Sequence, residues 1–326
     1  MTPLTWAEVE ANTALIEDAL DRTPEIDRWC SGPDWILAVR QGFAPHSSGL
    51  LFRGGDGPVP GFALLARYEL EDGSTMVAGL EPLWGFAAPV FGPDLEGLGA
   101  ELCRELSAHD WRLLVLPGVP PPDGPRSYAV RLARSLSPLG VARIGEGIVR
   151  QVADIGDGSE AWLARRSQRF RRNLRRAERQ AAEGGLGVVD ARHDPEIFER
   201  IMAIERRSWK GRDDGGITAP EMAATYRSMI ERLRARDRLR VGIAVKEGHD
   251  VGYILGGVRN DRYRGLQLSY RSTMAQWSIG HLLQWWQLRS LEPEGLRHYD
   301  LGMDMDYKRR WADRPEPTLT LIIERQ

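Results

Sequence analysis

The chain has 326 residues, with 46 acidic and 44 basic side chains, and 42% of its residues are hydrophobic. This length is enough for two domains, and the hydrophobic share excludes a wholly disordered chain. The nearly balanced charge excludes a globally basic nucleic-acid binder, and two cysteines exclude a disulfide framework or a CxxC zinc site. No apolar run approaches the ~20 residues that cross a bilayer, and the acidic N-terminus is unlike a signal peptide. We therefore expect a cytoplasmic protein with no stable membrane insertion.

The first half of the sequence predicts helices that lead into an antiparallel meander. An amphipathic helix is expected over residues 3–29. Beyond it, three short apolar runs over 49–53, 60–68 and 75–80 are separated by Gly, Asp and Pro clusters, which is typical of strands joined by turns. The remaining predicted elements are a helix over 94–109, a strand over 111–116, a proline-rich loop over 117–125, a helix over 128–136 and a strand over 143–153.

The second half repeats this order without obvious sequence identity. Its predicted elements are a helix over 159–183, a strand over 187–190, helices over 195–208 and 220–235, strands over 239–246, 251–259 and 264–270, a helix over 278–291 and a strand over 298–303. Helices before a meander, followed by strand, helix and strand, form an α+β layout, and here that layout occurs twice. We therefore predict two domains, 1–150 and 151–326.

The first candidate site is the junction of a strand and a helix at Ser278. The free N–H groups of a first helical turn form a natural seat for a diphosphate, and Gly280 lets the backbone approach it closely. No acid occurs in this helix before Glu292, although an ordinary Ser-capped helix would have the same pattern. In the first half, Asp94 and Glu96 occupy the equivalent turn, where they would repel a phosphate. Any nucleotide-type ligand is therefore assigned to the second half, and the first half is interpreted as a scaffold.

The second candidate site is the charged segment 300–311. On a strand, Asp300, Asp304 and Asp306 would point to one face, and clustered carboxylates raise one another's pKa, which suits a general base for an amine. A divalent cation is an alternative, but the Asp-x-Asp-x-Asp-Gly calcium pattern is absent and we expect no metal. A solvated turn neutralised by neighbouring cations fits equally well. Lys308 is a candidate for stabilising the negative charge of a tetrahedral intermediate.

The third candidate site is an arginine-rich helix. Eight of the fifteen residues from Arg165 to Arg179 are arginine, and Glu178 is their only acid. Apolar residues recur at helical spacing, so an amphipathic helix with a crowded cationic face is expected. The phosphates of a cofactor, an acidic carrier protein, tRNA or a lipid headgroup could visit this face. A solvated charged face is an equally good interpretation, and the lack of interleaved aromatic residues argues against nucleic acid.

The fourth candidate site is a loop that follows the helix ending near Glu205. It contains Trp209 and Lys210 and the glycines Gly215 and Gly216. A glycine-rich loop between two helices can move over a site. The structural alternative is that Trp209 anchors the core and Lys210 is exposed to solvent.

Five motifs along the second half together resemble one family. They are Ser167–Ala177, Ser208–Gly211, Ser278–Leu283, Asp300–Gly302 and Tyr307–Lys308. In this order they look like the motifs of the tandem-GNAT acyltransferases of the CelD/BioF2-like group, which is related to the FemABX aminoacyltransferases. The resemblance covers roughly residues 155–312 and is looser in the first half. It implies two GNAT-like domains, each a mixed, mainly antiparallel sheet flanked by helices, with a degenerate scaffold first and the acyl-donor site second.

The resemblance also implies roles for individual residues. The diphosphate turn maps onto Trp277, Ser278, Ile279, Gly280, His281 and Leu282, and a pantetheine arm would pair with the strand at Leu268, Tyr270 and Arg271. The aromatic–lysine pair of FemABX proteins implies that Lys308 takes part in transfer. The GNAT signature is incomplete, since Gln276 and Gly280 are one residue too far apart and His281-Leu282 replaces the second glycine. Acyl-CoA, a carrier-protein thioester and aminoacyl-tRNA therefore all remain possible donors.

The favoured function is an N-acyltransferase that moves an acyl group from a CoA or carrier-protein thioester to the amine of a small molecule or peptide. An amine with a pKa of ~10 has to lose a proton before it attacks, so Asp304 or Asp306, with Glu205 as the alternative, is expected to act as the base. Lys308 and backbone N–H groups would stabilise the oxyanion. The alternative functions are a FemABX-like aminoacyltransferase that binds aminoacyl-tRNA at Arg165–Arg179, and a non-catalytic GNAT-like binding protein.

Overall fold

A computed structural model of the chain describes residues 1–55, 57–81, 83–211 and 216–325. Internal contacts divide it into unit 1, Met1–Val149 with Pro317–Gln326, and unit 2, Arg150–Glu316. The chain passes from unit 1 to unit 2 between residues 149 and 150, beside the predicted boundary. The segment from residue 317 onward was predicted to belong to the second domain, but it is part of unit 1. None of the described helices has the length and apolar character needed to span a bilayer.

Unit 1 combines a mixed sheet with flanking helices. Its helices are α1 (Trp6–Ala11), α2 (Thr13–Asp21), α3 (Pro33–Phe43), α4 (Leu95–Ser107) and α5 (Tyr128–Leu136). Its strands are β1 (Thr2–Pro3), β2 (Ser48–Gly54), β3 (Gly61–Glu69), β4 (Thr75–Gly79), β5 (Val90–Phe91), β6 (Leu113–Val119) and β7 (Gly140–Ile144). The order is β1-β2-β3-β4-β6, with β5 paired to β3, and β4 and β6 are parallel. Residues 319–325 form a further strand between β6 and β7.

Two predicted elements of the first half are each divided in the structure. The helix expected over 3–29 breaks at Asn12, because the Asn12 side chain donates to the Glu8 carbonyl, and a second helix starts at Thr13. The strand expected over 143–153 is interrupted after Ile144, where two nearby glycines weaken a strand interior. Neither α3 nor β5 was predicted.

Two acids of unit 1 accept hydrogen bonds from backbone N–H groups, and one of them lies at the start of α4. Glu81 follows β4, is fully buried and accepts hydrogen bonds from four successive backbone N–H groups, among them that of Phe86 at 2.9 Å. Asp94 caps α4 by accepting from the N–H of Gly97 at 2.9 Å. Both contacts support the interpretation of unit 1 as a scaffold.

Unit 2 is built on a second mixed sheet. Its strands are β8 (Ile148–Asp154), β9 (Leu186–Asp190), β10 (Leu239–Lys246), β11 (His249–Arg259), β12 (Arg262–Tyr270), β13 (His298–Met303) and the first residues of β14 (Arg314–Arg325). Its helices are α6 (Ser159–Ala164), α7 (Gln168–Glu183), α8 (Ile197–Glu205), α9 (Pro220–Ala235), α10 (Ile279–Ser290) and α11 (Asp306–Arg309). The order is β8-β13-β12-β11-β10-β9, in which β12 and β13 are parallel and the other pairs antiparallel. The predicted α+β class, with a mixed and mainly antiparallel sheet flanked by helices, is confirmed.

The helix expected over 159–183 is also two helices. Ser167 caps α7 by accepting from the N–H of Phe170 at 3.2 Å, which ends the shorter α6 before it. The buried side of α7 contributes Leu174 to an aromatic core in which Trp162 stacks on Trp311, with ring centroids 5.2 Å apart. This core fixes α7 and the segment after β13 in one arrangement. Neither α11 nor β14 was predicted.

Candidate active site

The strands β12 and β13 part after a short parallel pairing. Residues 262–264 of β12 pair with residues 298–300 of β13, whereas β12 continues to Tyr270 with β11 as its neighbour. A bulge in the β11–β12 ladder lies where the separation begins, between Leu255 and Gly256. We call the gap between residues 265–270 of β12 and the end of β13 the fork.

Lys308 lies at the fork. Its Nζ is 3.5 Å from the position that a Cβ on Gly302 would occupy, and the Gly265 carbonyl oxygen is 3.7 Å from the same position. Gly302 has a φ of 79°, a conformation that favours glycine, so the lysine approaches a backbone without a side chain. Burial and the nearby Arg264 lower the pKa of Lys308 to about 8.

Lys210 reaches the same edge of β12 from the loop after α8. Its Nζ donates to the Leu268 carbonyl oxygen at 2.9 Å and to the Gln267 side chain at 3.4 Å. Ser208 holds the loop in place, because its Oγ accepts from the N–H of Lys210 at 3.1 Å. Burial lowers the pKa of Lys210, and its charge in turn lowers the pKa of Lys308. The ammonium groups of Lys210 and Lys308 therefore both contribute positive charge along β12 at the fork.

In this loop the structure shows the opposite of the alternative in which Trp209 is buried in the core and Lys210 is exposed. Trp209 is 60% exposed, so it does not anchor the core, whereas Lys210 is half-buried. Gly215, named in the prediction of a moving loop, lies outside the described residues. The signal that could have marked Lys210 was the Ser208–Gly211 motif, but its contact with β12 depends on the tertiary structure.

Glu205 is fully buried at the end of α8. Its Oε2 accepts from the Tyr253 hydroxyl at 3.1 Å, and its Oε1 has no hydrogen-bond partner among the described residues. A Cβ on Gly216 would lie 2.7 Å from Oε1. Glu205 opposes the lowering of the pKa of Lys210, so it belongs to the same electrostatic cluster.

The prediction that three aspartates share one strand face was wrong. Strand β13 ends at Met303 and α11 starts at Asp306, so Asp304 and Asp306 leave the strand's alternation. Asp300 remains on the strand and is fully buried.

The surroundings of Asp300 indicate a structural role for this carboxylate. Burial alone would raise its pKa, but Arg264 at 2.7 Å, together with Arg150 and Arg262, lowers it well below the usual value. Its Oδ1 also accepts from the N–H of Gly302 at 2.8 Å. Asp300 therefore fixes the glycine that faces Lys308, while its charge is compensated by arginines.

Asp304 does not have the raised pKa expected of a general base, and Asp306 is not buried. Hydrogen bonds from Arg309, and a further one from Gln151 at 2.9 Å, lower the pKa of Asp304. The Asp306 side chain is 92% exposed and lies 3.2 Å from the same arginine. Arg309 thus neutralises both carboxylates, and Glu205 is left as the buried candidate.

The predicted diphosphate turn forms the start of α10. Ser278 has a left-handed φ of 54° and makes no side-chain cap, while its carbonyl accepts from the N–H of His281 at 2.9 Å and of Leu282 at 3.2 Å. The N–H groups of Ile279 and Gly280 precede the first intrahelical bond and are the donors that a ligand could use. A Cβ on Gly280 would contact the Leu268 and Tyr270 side chains at 3.6 Å, so the structure brings turn and strand together.

The flanks of this turn are closed by aromatic contacts. Trp277 ends a 3₁₀ turn over Ser272–Trp277 and packs so closely on Gly184 that a Cβ there would lie 2.2 Å from its ring. His281 stacks on Trp311 with ring centroids 5.8 Å apart, and partial burial with the nearby Arg310 lowers the pKa of His281. These effects favour the neutral form of His281 beside the turn.

Part of the predicted donor strand is already occupied. Lys210 donates a hydrogen bond to the Leu268 carbonyl. Arg271 forms an isolated antiparallel β-bridge with Ser208, and the N–H of Ser272 donates to the Arg207 carbonyl at 3.0 Å. The loop after α8 therefore covers the edge that a pantetheine arm would use. Across the described ranges, no group of three or more His, Cys, Asp or Glu side chains is placed to hold a metal ion.

Part of the sequence and the fold of this chain are similar to those of known proteins. Residues 168–309 match the family described as acetyltransferase (GNAT) domain. The structure of FemX matches with a TM-score of 0.65 and 13% identity, covering 98% of this chain and 97% of that chain. L-PGS from Bacillus licheniformis matches with a TM-score of 0.56 and 11% identity, covering 99% and 92% of the two chains.

A tandem GNAT protein from the clavulanic acid biosynthesis pathway matches with a TM-score of 0.53 and 15% identity, covering 99% of this chain and 97% of that chain. No curated protein matches the sequence. The chain thus shares the fold of these tandem GNAT proteins, and residues 168–309 of its second unit match a GNAT acetyltransferase domain.

Proposed function

We propose that the protein is an N-acyltransferase of the CelD/BioF2-like group, which transfers an acyl group from a thioester to the amine of a small molecule or peptide. The observation that carries this proposal is the position of Lys308, half-buried at the fork with a pKa of about 8. In this proposal the thioester lies at this gap between strands. A cation there faces the carbonyl that becomes negatively charged during attack.

The reaction needs one nucleophile and two proton transfers. The amine nitrogen attacks the thioester carbon, the C–N bond forms, and the ammonium of Lys308 stabilises the oxyanion. Collapse of this intermediate breaks the C–S bond. A thiol pKa of ~8.5 is close to that of Lys308, so the lysine can pass its proton to the departing thiolate.

Glu205 is the best supported base for the amine. It is buried beside Lys210, and one of its carboxylate oxygens lacks a partner among the described residues. Asp304 and Asp306 are weaker candidates because Arg309 compensates both charges. In this proposal Glu205 accepts the proton of the amine, directly or through water.

The donor is an acyl-CoA or a carrier-protein thioester, with the backbone N–H groups of Ile279 and Gly280 as the seat for phosphate. Lys210 occupies the Leu268 carbonyl, so pairing of a pantetheine arm at this residue requires the lysine to release it. A released Lys210 would add a second positive charge beside the thioester.

Thiol release from acyl-CoAs and loaded carrier proteins, measured with a panel of amine acceptors, tests this function. We expect Lys308→Ala and Glu205→Gln each to lower kcat by ~100-fold or more while circular dichroism stays unchanged. Arg112→Ala, at an exposed ion pair of unit 1, is the control that should retain wild-type turnover. Full activity in Lys308→Ala would refute the assigned role, and the absence of transfer from every thioester would refute the function.

A further inference from the structure

The exposed face of α7 carries arginines whose charge is not compensated. They are Arg169, Arg172, Arg175, Arg176 and Arg179. None of the five forms an ion pair with the described part of the chain, and burial is confined to the opposite side of the helix, at Leu174, Ala177 and Ala181. Like charges at this spacing repel one another, so the face is costly unless an anion binds to it.

The arginines that lie next to this face in the structure are paired with acids. Before it, Arg165 and Arg166 pair with Asp313. Beside it, Arg289 lies 3.5 Å from Glu178. The bare arginines span eleven residues, and the ten steps between the first and the last cover ~15 Å along a helix axis. The basic surface is therefore a single strip rather than a broad field.

The helix that carries this strip packs beside the start of α10. Phe170 of α7 contacts His281 edge-on, with ring centroids 6.1 Å apart, and Gly184 just past the end of α7 packs on Trp277. A molecule bound along α7 would therefore lie beside the turn that offers Ile279 and Gly280 to the donor. The strip and the donor turn both belong to unit 2.

We propose that the α7 strip docks an acidic helix of a carrier protein that presents the acyl group as a thioester, an inference that rests on the proposed acyl transfer. Arg169, Arg172, Arg176 and Arg179 recur every three or four residues, the spacing at which an acidic helix repeats its own exposed face. A diphosphate alone is too short to engage a strip of ~15 Å.

A nucleic-acid duplex is a poorer fit to the same surface. Its phosphates continue beyond one helix width, whereas the neighbouring cations here are already paired with acids. Aromatic residues near the strip, Trp162 and Phe170, are turned into the core and offer no platform for unpaired bases. The strip therefore favours a protein partner.

The test compares two donors that carry the same octanoyl group, a type II acyl carrier protein and CoA. We expect the double variant Arg172→Glu/Arg176→Glu to lower kcat/KM for the carrier-bound donor by ~10-fold or more, mainly through KM, and to change kcat/KM for octanoyl-CoA by less than about twofold. The matched control reverses two exposed arginines of unit 1, Arg126→Glu/Arg134→Glu, and should leave both donors unaffected. Raised salt should lower kcat/KM for the carrier-bound donor in the wild type and have little further effect on it in the α7 variant.

Four outcomes would overturn the inference. An equal loss for both donors would mean that α7 serves cofactor phosphates. No loss for either donor would mean that the strip is only a solvated face. Loss of tRNA binding in the α7 variant, with carrier-dependent turnover intact, would identify RNA as the partner. If the wild type transfers octanoyl from CoA but not from the carrier, the docking inference fails while the proposed function stands.

Discussion

Lys210 and Lys308 are two of the three lysines in a chain that has 44 lysine and arginine side chains in total. A guanidinium stays protonated at all ordinary pH values, whereas a lysine with a lowered pKa can release its proton. Arginine compensates Asp300, where charge alone is needed. Lysine is found at the fork, where the proposed reaction needs a proton to move.

The pH dependence of turnover follows from the pKa of Lys308. Since this pKa is about 8, the ammonium form dominates below pH 8 and is lost as the pH rises through that value. We therefore expect kcat to fall above about pH 8, and Lys308→Arg to keep its charge and move the descending limb to about pH 10 or beyond, at reduced kcat. The measurement is kcat against pH with a weakly basic acceptor amine, so that the acceptor does not itself titrate. A descending limb that stays in place in Lys308→Arg would rule out the lysine as its source.

At this scale the sequence singled out Lys308 and Glu205, whose roles stay predictions, and it misjudged the placement of the aspartates. The error came from extending β13 beyond Met303, where the chain instead turns into α11 and Arg309 reaches back to Asp304. Lys210 was seen only as part of a loop. Its contact with Leu268 joins residues 58 positions apart, which no local pattern reveals.

The start of α10 is where an element of secondary structure makes the proposed donor site. The backbone reaches it through a 3₁₀ turn and a left-handed Ser278, so Ile279 and Gly280 present their N–H groups at the helix end. The side chains of Ile279 and Leu282 are buried, which leaves these residues to contribute backbone only. The site therefore depends on charge and backbone access rather than on side-chain identity.

Gly280→Asp tests the diphosphate seat. A side chain at this position meets only ordinary contacts, and an acid in a first turn stabilises a helix, so the fold should persist. The carboxylate would repel a diphosphate, and we expect KM for acyl-CoA to rise by ~10-fold or more. Gly280→Ala is the neutral control, and an acyl-pantetheine thioester without the diphosphate should be unaffected. An unchanged KM for acyl-CoA would place the diphosphate elsewhere.

Among the elements, those with strong periodicity were predictable and those set by neighbours were not. Helix α9 and the meander strands β10 to β12 agree with the prediction to within a few residues. Strand β14 was missed because Pro315 and Pro317 argue against a strand, yet it pairs with β6 and β7 further along. Helix α11 has four residues, too few for a periodic signal.

At the scale of the whole molecule, the Asp300 cluster secures unit 2. One carboxylate compensates Arg150, Arg262 and Arg264, and Glu316 adds a second, 2.8 Å from Arg262. Loss of this aspartate would remove the buried carboxylate that Arg150, Arg262 and Arg264 share.

Asp300→Asn should lower the free energy of unfolding by ~3–5 kcal/mol near neutral pH, because it removes the buried negative charge that pairs with Arg150 and Arg264. The folded pKa of Asp300 is lowered, so its contribution is present above the unfolded value of ~3.9 and is lost as the pH falls below it. Urea titrations of both proteins at pH 7 and in acid check this. The exposed Asp306→Asn should change the free energy by less than about 0.5 kcal/mol. Equal stability of wild type and Asp300→Asn at pH 7 would contradict the prediction.

The discontinuous make-up of unit 1 has a consequence for biosynthesis. Residues 319–325 supply the strand that lies between β6 and β7, and the ribosome adds them only after it has made all of unit 2. The nascent first 149 residues therefore wait, with one strand position unfilled, through the translation of 167 more residues. During that interval the open strand edge is exposed to mispairing and to chaperones, while unit 2 already has the whole of its own sequence.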